Sequence, residues 1–397
     1  MSVNTYWLLN PSGQHQHGEF IDDTCAQRAA ERGMLSRLTK AADFPRQRVE
    51  VLSLDDVEVE LNELYYRRGW TDGLPVLAPT LARVDEMLEA TEFDRAHVVA
   101  ELEPLRGLAV VEKLAANAVM AGCRPEHFPV VLAAVQAIAK PEFNLRGVQT
   151  TDENVTPAIV VSSRRTSALD VNASFGALGP GWRGGAAIGR AVRLIMQNIG
   201  GGWQAAVSLA GLGQPGRFSL CFAEHEHDSP WDPLRIDHGF AAEETVITVF
   251  RAETVVNVTG GLAELASVMG SAASAFSMAY GGHPLVVISP FTANKLAADG
   301  MSKTDVQSWL FEHGRVPRRQ FESFWLRQDT IDASTWPSWL TASLGNDTLP
   351  VVEQASDISI VVAGGDLEIA QQAYLPTWGF PACRVHQAVT GQVMPDN

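Results

Sequence analysis

Five glycines fall between Gly176 and Gly185 in the run Phe175-Gly-Ala-Leu-Gly-Pro-Gly-Trp-Arg-Gly-Gly, and an apolar helical pattern follows at once. A glycine loop that opens a helix leaves backbone N–H groups pointing outward, with the positive end of the helix dipole behind them. Arg183 lies inside the loop and Arg190 about two turns further on, so full positive charge joins those donors. The spacing predicts an anion pocket on Gly181, Arg183, Gly184 and Gly185, with Arg190 in support. It is neither a P-loop, which needs Gly-Lys-Ser/Thr, nor a dinucleotide fingerprint, because no strand pattern leads into it. The competing expectation is a glycine turn that lets two elements pack closely.

Three other stretches carry chemistry. The segment 143–157 holds Arg146, Gln149, Thr150, Thr151 and Asn154 just ahead of an apolar run, a density of hydrogen-bonding side chains suited to orienting a substrate. The run Cys221-Phe-Ala-Glu-His-Glu-His-Asp-Ser-Pro-Trp-Asp-Pro places His225 and His227 two apart among carboxylates. Extended backbone would put both imidazoles on one face, where they could chelate a divalent metal, and either could move a proton near neutral pH. His283, in Gly-Gly-His-Pro, is a further candidate acid–base group. The Gly364-Gly365-Asp366 turn offers a second anion-binding helix start. Cys123 lies between two helical patterns beside Arg124 and His127, and Cys383 beside Arg384 and His386, settings that could favour a thiolate over inert packing.

These groups need elements to hold them. Ile188, Val192, Ile195 and Ile199 recur at helical spacing, and Gly200, Gly201 and Gly202 end that helix. Helices are expected at 55–68, 81–90 (capped by Thr80), 109–122 and 125–139. Strands are expected at 158–162 and 246–250, the latter extended by 253–258. Beyond residue 260 the pattern becomes helix 262–278, strand 285–289, helix 292–299 and strand 358–363, the last closed by Gly364-Gly365-Asp366 and a helix. This predicts an α/β fold, mixed helical and parallel-sheet, with a C-terminal strand–glycine–helix lobe. The expected division is an appendage at 1–60, a helix-rich α/β core at 61–260 and the lobe at 261–397. In the appendage, a short strand begins at Tyr6, His15 and His17 sit in a polar tract, and a helix runs from Cys25 to about residue 38.

Composition limits the function classes. The 397 residues suit about two or three domains, and 46% apolar content provides for a large core. A formal net charge of −16 argues against nucleic acid or an anionic membrane as partner. No leader and no spanning apolar run are evident, and four cysteines without a Cys-x-x-Cys pair suggest a reducing, cytoplasmic setting. The oligomeric state stays open, a homo-oligomer included.

Gly69-Trp-Thr-Asp-Gly-Leu-Pro-Val, Asn117-Ala-Val-Met-Ala-Gly-Cys123, Phe143-Asn-Leu-Arg-Gly-Val-Gln-Thr-Thr, Gly179-Pro-Gly-Trp-Arg183 and Ser229-Pro-Trp-Asp-Pro form a recognisable series. Over residues 60–260 the chain resembles a bacterial family associated with small cysteine or selenocysteine proteins named for a UGSC motif. The resemblance implies a bacterial soluble protein, an enzyme subunit, with thiol or selenol chemistry supplied by the partner. The chain has no Cys-Gly-Ser-Cys segment of its own, so Cys123 need not be catalytic. From the residues themselves, the expected activity is acid–base chemistry, lyase- or hydrolase-like, on a small anionic metabolite. A redox subunit with a Cys/Sec partner and a non-catalytic binding subunit are the alternatives. No organic cofactor can be read from the motifs; a divalent metal at His225 and His227 is the cofactor to test.

Overall fold

A computed structural model describes residues 57–271, 282–323, 336–379 and 384–390. The expectations placed on Tyr6, His15, His17, the helix from Cys25, Gly281, the end of the 262–278 helix and Cys383 lie outside the described residues.

The first half of the chain opens with α1 (Val57–Arg67), stopped at Gly69 with φ 68°. Thr80 then caps α2 (Leu81–Leu88), its hydroxyl accepting from Arg83 N at 3.4 Å. A hairpin of β1 (Val98–Leu102) and β2 (Gly107–Val110) leads to α3 (Val111–Ala121) and α4 (Phe128–Ala139). α3 and α4 are alanine- and valine-rich and buried almost all round, the signature of a helix enclosed by other elements. The segment dense in hydrogen-bonding side chains contains a short helix, α5 (Leu145–Thr150), nucleated by Asn144, whose Oδ1 accepts from Gly147 N. The unit β3 (Thr156–Ser162), α6 (Arg183–Asn198), β4 (Cys221–Ala223) follows, with β3 and β4 parallel. After α7 (Leu234–Asp237) comes β5 (Val246–Ala252), antiparallel to β3.

The first half ends on β6 (Val256–Thr259), and the second half repeats its pattern. α8 (Leu262–Met269) precedes β7 (Leu285–Ile288), which is followed by α9 (Pro290–Ala298) and α10 (Lys303–His313). A small hairpin-like pair, β8 (Arg315–Pro317) with β9 (Thr348–Pro350), encloses α11 (Arg318–Phe321) and α12 (Ser338–Ser343). Then β10 (Ser359–Val362) lies parallel to β7, and β11 (Gln371–Leu375) antiparallel to it. Finally β12 (Val385–Ala388) returns to pair with β5.

Two four-stranded mixed sheets result, ordered β12-β5-β3-β4 and β10-β7-β11-β6. Each contains one parallel pair at one edge and takes its other edge strand from the opposite half. The halves correspond bond for bond at their centres. Glu224 N donates to Val161 O at 3.1 Å, and Ala363 N donates to Ile288 O at 3.0 Å. By that register Ser162 matches Ser289, and Glu224 matches Ala363.

Strand periodicity explains how the sheets stack. Alternate residues point to opposite faces. Ala158, Val160, Phe222, Phe250 and Ala252 of the first sheet join Leu285, Val287, Val361, Ala363, Ala373 and Leu375 of the second in one apolar cluster between the sheets. The other face of the first sheet, through Ile159, Val161, Ile247 and Val249, packs on α3, α4 and α6. The other face of the second, through Val286, Ile288, Ile360 and Tyr374, packs on α8, α10 and α12. The architecture is a four-layer α/β/β/α sandwich, and strands covered on both faces are largely apolar, as β3 and β5 are, with Thr248 and Arg251 the buried polar residues of β5.

Two expected elements differ. Residues 253–258 do not continue the first sheet: β6 crosses to the second and pairs with β11. No helix follows Gly364-Gly365-Asp366; β11 comes next, so this turn offers no helix N-terminus. The expected boundary near residue 260 is therefore bridged in both directions, by β5–β6 and by β11–β12.

Candidate functional site

Parallel β3 and β4 end together, and their C-terminal ends open on a cleft of about 1450 Å³. Ligand groups in α/β sheets gather at this end of parallel strands. Three segments form most of the walls, the loop after β3 (Ser163 to Ser174), the run from Glu224 to Asp237 after β4, and Ser302, Lys303 and Thr304 at the start of α10, with Trp182 and Ala242 completing them. The cleft thus draws on both halves of the chain. His225 N fastens them together by donating to Val362 O at 2.8 Å.

Glu224 stands at the head of β4, 4% exposed and still part of the cleft wall. Ser162 Oγ donates to its Oε2, and Leu234 N lies 3.0 Å from both carboxylate oxygens. Burial pushes its pKa up to about 7, and the nearby Glu226 adds to this. The hydrogen bond from Ser162, the charge of Lys303 and the Leu234 amide pull the other way without prevailing. A carboxyl that gains and loses a proton near neutrality, in a cleft at the sheet's C-terminal end, is equipped for proton transfer.

The surrounding charges are mostly committed. Arg235 forms a two-pronged ion pair with Glu226, one arm at 2.8 Å, and also donates to Ala242 O. Lys303 Nζ lies 2.6 Å from Asp237 Oδ2 and also donates to Asp232 O. Arg164 differs: it is exposed, lines the cleft, and its guanidinium makes no hydrogen bond or ion pair with any described residue. Trp182 and Trp231 supply aromatic wall, Trp231 anchored through Nε1 to Met301 O at 3.2 Å.

Of the residues singled out in the sequence, His225 and His227 line this cleft. They do not form a chelate: the backbone turns after β4, and both imidazoles face Asp228, at 3.5 Å and 2.7 Å. Among the described residues no group of three or more His, Cys, Asp or Glu is placed to hold a metal. His227 is 94% exposed and held only at its rim. His225 is half-buried, with Nδ1 enclosed and without a partner.

The glycines in the first turns of α6 serve packing. A Cβ on Gly184 would lie 2.1 Å from Leu169 O, one on Gly185 2.7 Å from Cys221 O, and one on Gly189 2.3 Å from Ser219 Oγ. These glycines let α6 touch β4 and the loop after β3. The anion at the α6 N-terminus is the protein's own: Arg183 N donates to Asp170 Oδ2 at 3.3 Å, and Gly184 N to Asp170 O at 2.9 Å. Trp182 reaches the cleft, whereas Gly181 and Arg183, though exposed, are not among its lining residues. Arg190 is bound elsewhere, bidentate to Asp72 at 2.8 Å on each arm, with Leu74 O and Pro75 O as further acceptors. Gln197, Asn198 and Trp203 secure Gly69, Trp70 and Thr71 in the same way. The Gly69–Val76 motif is thus a buckle on α6.

The remaining candidates do not line the cleft. Gln149 is buried, with Nε2 donating to Glu103 O at 2.5 Å, and Thr150 Oγ1 donates to Arg146 O. Thr151 Oγ1 caps Glu153 N, and Arg146 is 3.8 Å from Glu103. All four shape α5 and its exit. Gly364 N donates to Ala173 O, and the Phe175 ring covers Gly365 so closely that a Cβ there would lie 2.3 Å from it. His283 precedes β7, at the N-terminal end of the parallel pair, 3.5 Å from Asp357; burial lowers its pKa. Cys123 packs against the first core, and burial pushes its thiol well above the usual range; Cys221 is pushed up to about 12. Neither is a thiolate at neutral pH.

Sequence reasoning passed over Ser162, Arg164, Arg235, Lys303 and, as the central group, Glu224. One signal was available: Glu224 directly follows the apolar Cys221-Phe-Ala run, and Ser162-Ser-Arg-Arg follows Ile-Val-Val. Both are polar residues at the C-terminal ends of buried strands. The second half, where Ala363 takes the place of Glu224, carries no such carboxyl.

Among the described residues no helix is long and apolar enough to cross a membrane. No protein-family model matches the chain, and no curated protein matches it.

Proposed function

We propose that the protein is an acid–base enzyme, lyase- or hydrolase-like, acting on a small anionic metabolite in the cleft at the ends of β3 and β4. One observation carries the reading: a buried cleft-wall carboxyl, Glu224, with a pKa of about 7. At neutral pH both its forms are populated, so it can accept a proton from a substrate and return it within one turnover. Ser162 and the Leu234 amide hold its geometry through both states. Arg164 receives the substrate's carboxylate or phosphate, because it is the cleft arginine with no internal counter-ion. His225 stands next in the chain as a second proton carrier, oriented by Asp228.

The anion role thus passes from the glycine loop to Arg164, and the proton role from the histidines chiefly to Glu224. The test is a thermal-shift and NMR turnover screen of small carboxylates and phosphate esters against the wild type, Arg164→Ala and Glu224→Gln. Arg164→Ala is expected to weaken binding by about tenfold to a hundredfold, the loss of one charge-assisted contact. Glu224→Gln is expected to bind as well as wild type and to turn over at least about a hundredfold more slowly. A wild-type ligand that binds both variants equally, or turnover unchanged in Glu224→Gln, would reject the reading.

A further inference from the structure

Once the pairings inside the cleft are accounted for, two opposite charges are left over. Glu226 is held by Arg235 and Asp237 by Lys303, while Asp170 accepts from the Arg183 amide at the start of α6. Arg164 on one wall and Asp232 on another remain. Both are exposed and line the cleft, and neither side chain makes a hydrogen bond or ion pair with any described residue, each other included. Asp232 is anchored through its backbone, whose carbonyl accepts from Lys303 Nζ, so the residue is fixed while its carboxylate stays free.

Connectivity keeps both charges near Glu224. Arg164 is two residues past Ser162, whose hydroxyl donates to the Glu224 carboxyl. Asp232 is two residues before Leu234, whose amide lies 3.0 Å from both Glu224 oxygens. Two residues span at most about 7 Å of chain. The guanidinium is thus tethered beside Glu224 by the loop after β3, and the carboxylate by the run after β4. Trp231, next to Asp232, adds an indole to the same wall, and aromatic rings attract cations. A guest with negative charge alone would satisfy Arg164 and leave the Asp232 carboxylate facing it unpaired, which costs affinity. A guest that also carries an ammonium group matches both.

We propose that the substrate of this cleft is a zwitterion of the amino acid class, its carboxylate or phosphate on Arg164 and its ammonium group on Asp232. The inference rests on the acid–base reading and narrows it: the atoms between the two charged ends lie beside Glu224, and Asp232 is the residue that selects against amine-free anions.

Calorimetric titration of the full chain at neutral pH tests it with matched pairs: the common amino acids against their desamino counterparts, and phosphoethanolamine against ethyl phosphate. In wild type the amino member of at least one pair is expected to bind about tenfold or more tightly than its amine-free partner, the difference made by one charged hydrogen bond. Asp232→Asn is expected to erase that preference with an unchanged unfolding midpoint, and Arg164→Ala to weaken both members. Amine-free anions that bind wild type as tightly, or a preference kept in Asp232→Asn, would overturn the zwitterion; the acid–base reading survives that result if turnover of those anions still falls in Glu224→Gln. An Asp232-dependent preference with turnover unchanged in Glu224→Gln keeps the zwitterion and rejects the acid–base role. Binding by no member of any pair overturns both.

Discussion

Glu224 keeps its proton to about neutral pH because the sheet ends have dried its surroundings more than Ser162 and the Leu234 amide can offset. That has a thermodynamic consequence. Its folded pKa lies above the ordinary 4.5, so its contribution to stability is fully present below about pH 4.5 and is lost as pH rises through about 7. Glu224→Gln should remove this falling limb: urea midpoints measured at about pH 5 and about pH 8 should lie closer together in the variant than in the wild type. At this scale the sequence was only half legible. His225 and His227 advertised their segment, yet it is the residue between a buried strand and that conspicuous run whose proton affinity burial raises. Burial, which sets its pKa, is a property of partners such as Ser162 and Leu234 that lie 62 and 10 residues away. Arg190 shows the converse. Its proximity to the glycine loop suggested an anion, but the anion is Asp72, 118 residues earlier in the chain.

Among the elements, α6 was the most legible. Ile188, Val192 and Ile195 form its buried stripe, as their spacing predicts. Its glycines carried two readings, and close packing accounts for Gly184, Gly185 and Gly189. Gly184→Ala should therefore destabilise the fold by about 1–3 kcal/mol or more, read from chemical denaturation, because the added methyl meets two backbone carbonyls that cannot move aside. The strands were located by their apolar runs, whereas the crossing of β6 and the absence of a helix after Gly365 depend on long-range pairing that no local pattern records. Strand β12 carries its own sensitivity. The His386 ring lies 3.9 Å from that of His238, among Arg384, Lys303 and Lys140, with Thr248 on its Nδ1. Burial and these neighbours lower the two imidazoles to about 3 and about 4. Their stabilising contribution is thus present above the ordinary 6.5 and is lost as pH falls toward those values. His386→Gln should shift the acid-unfolding midpoint, followed by circular dichroism, to lower pH.

For the whole molecule, the mixed α/β class could be read from the alternation of apolar runs and helical stripes, but the two-fold repetition of the β–α–β–β unit could not. The halves share register and hydrogen bonding, whereas the groups at their strand ends differ, Glu224 in one and Ala363 in the other. Their sheets also exchange edge strands, so damage in one half should be felt in the other. Val385→Asp, placed in the first core from the far end of the chain, should reduce hydrogen-exchange protection of β5 amides at least as much as those of β11. The same exchange of strands sets an order on synthesis. The sheet that bears Glu224 acquires its outermost strand only after residue 388 has left the ribosome, roughly 130 residues after β5 is complete at Ala252. Until then the His386-facing edge of β5 is open, and a nascent chain of this protein should rely on chaperones over that interval more than one whose sheets each close from consecutive strands.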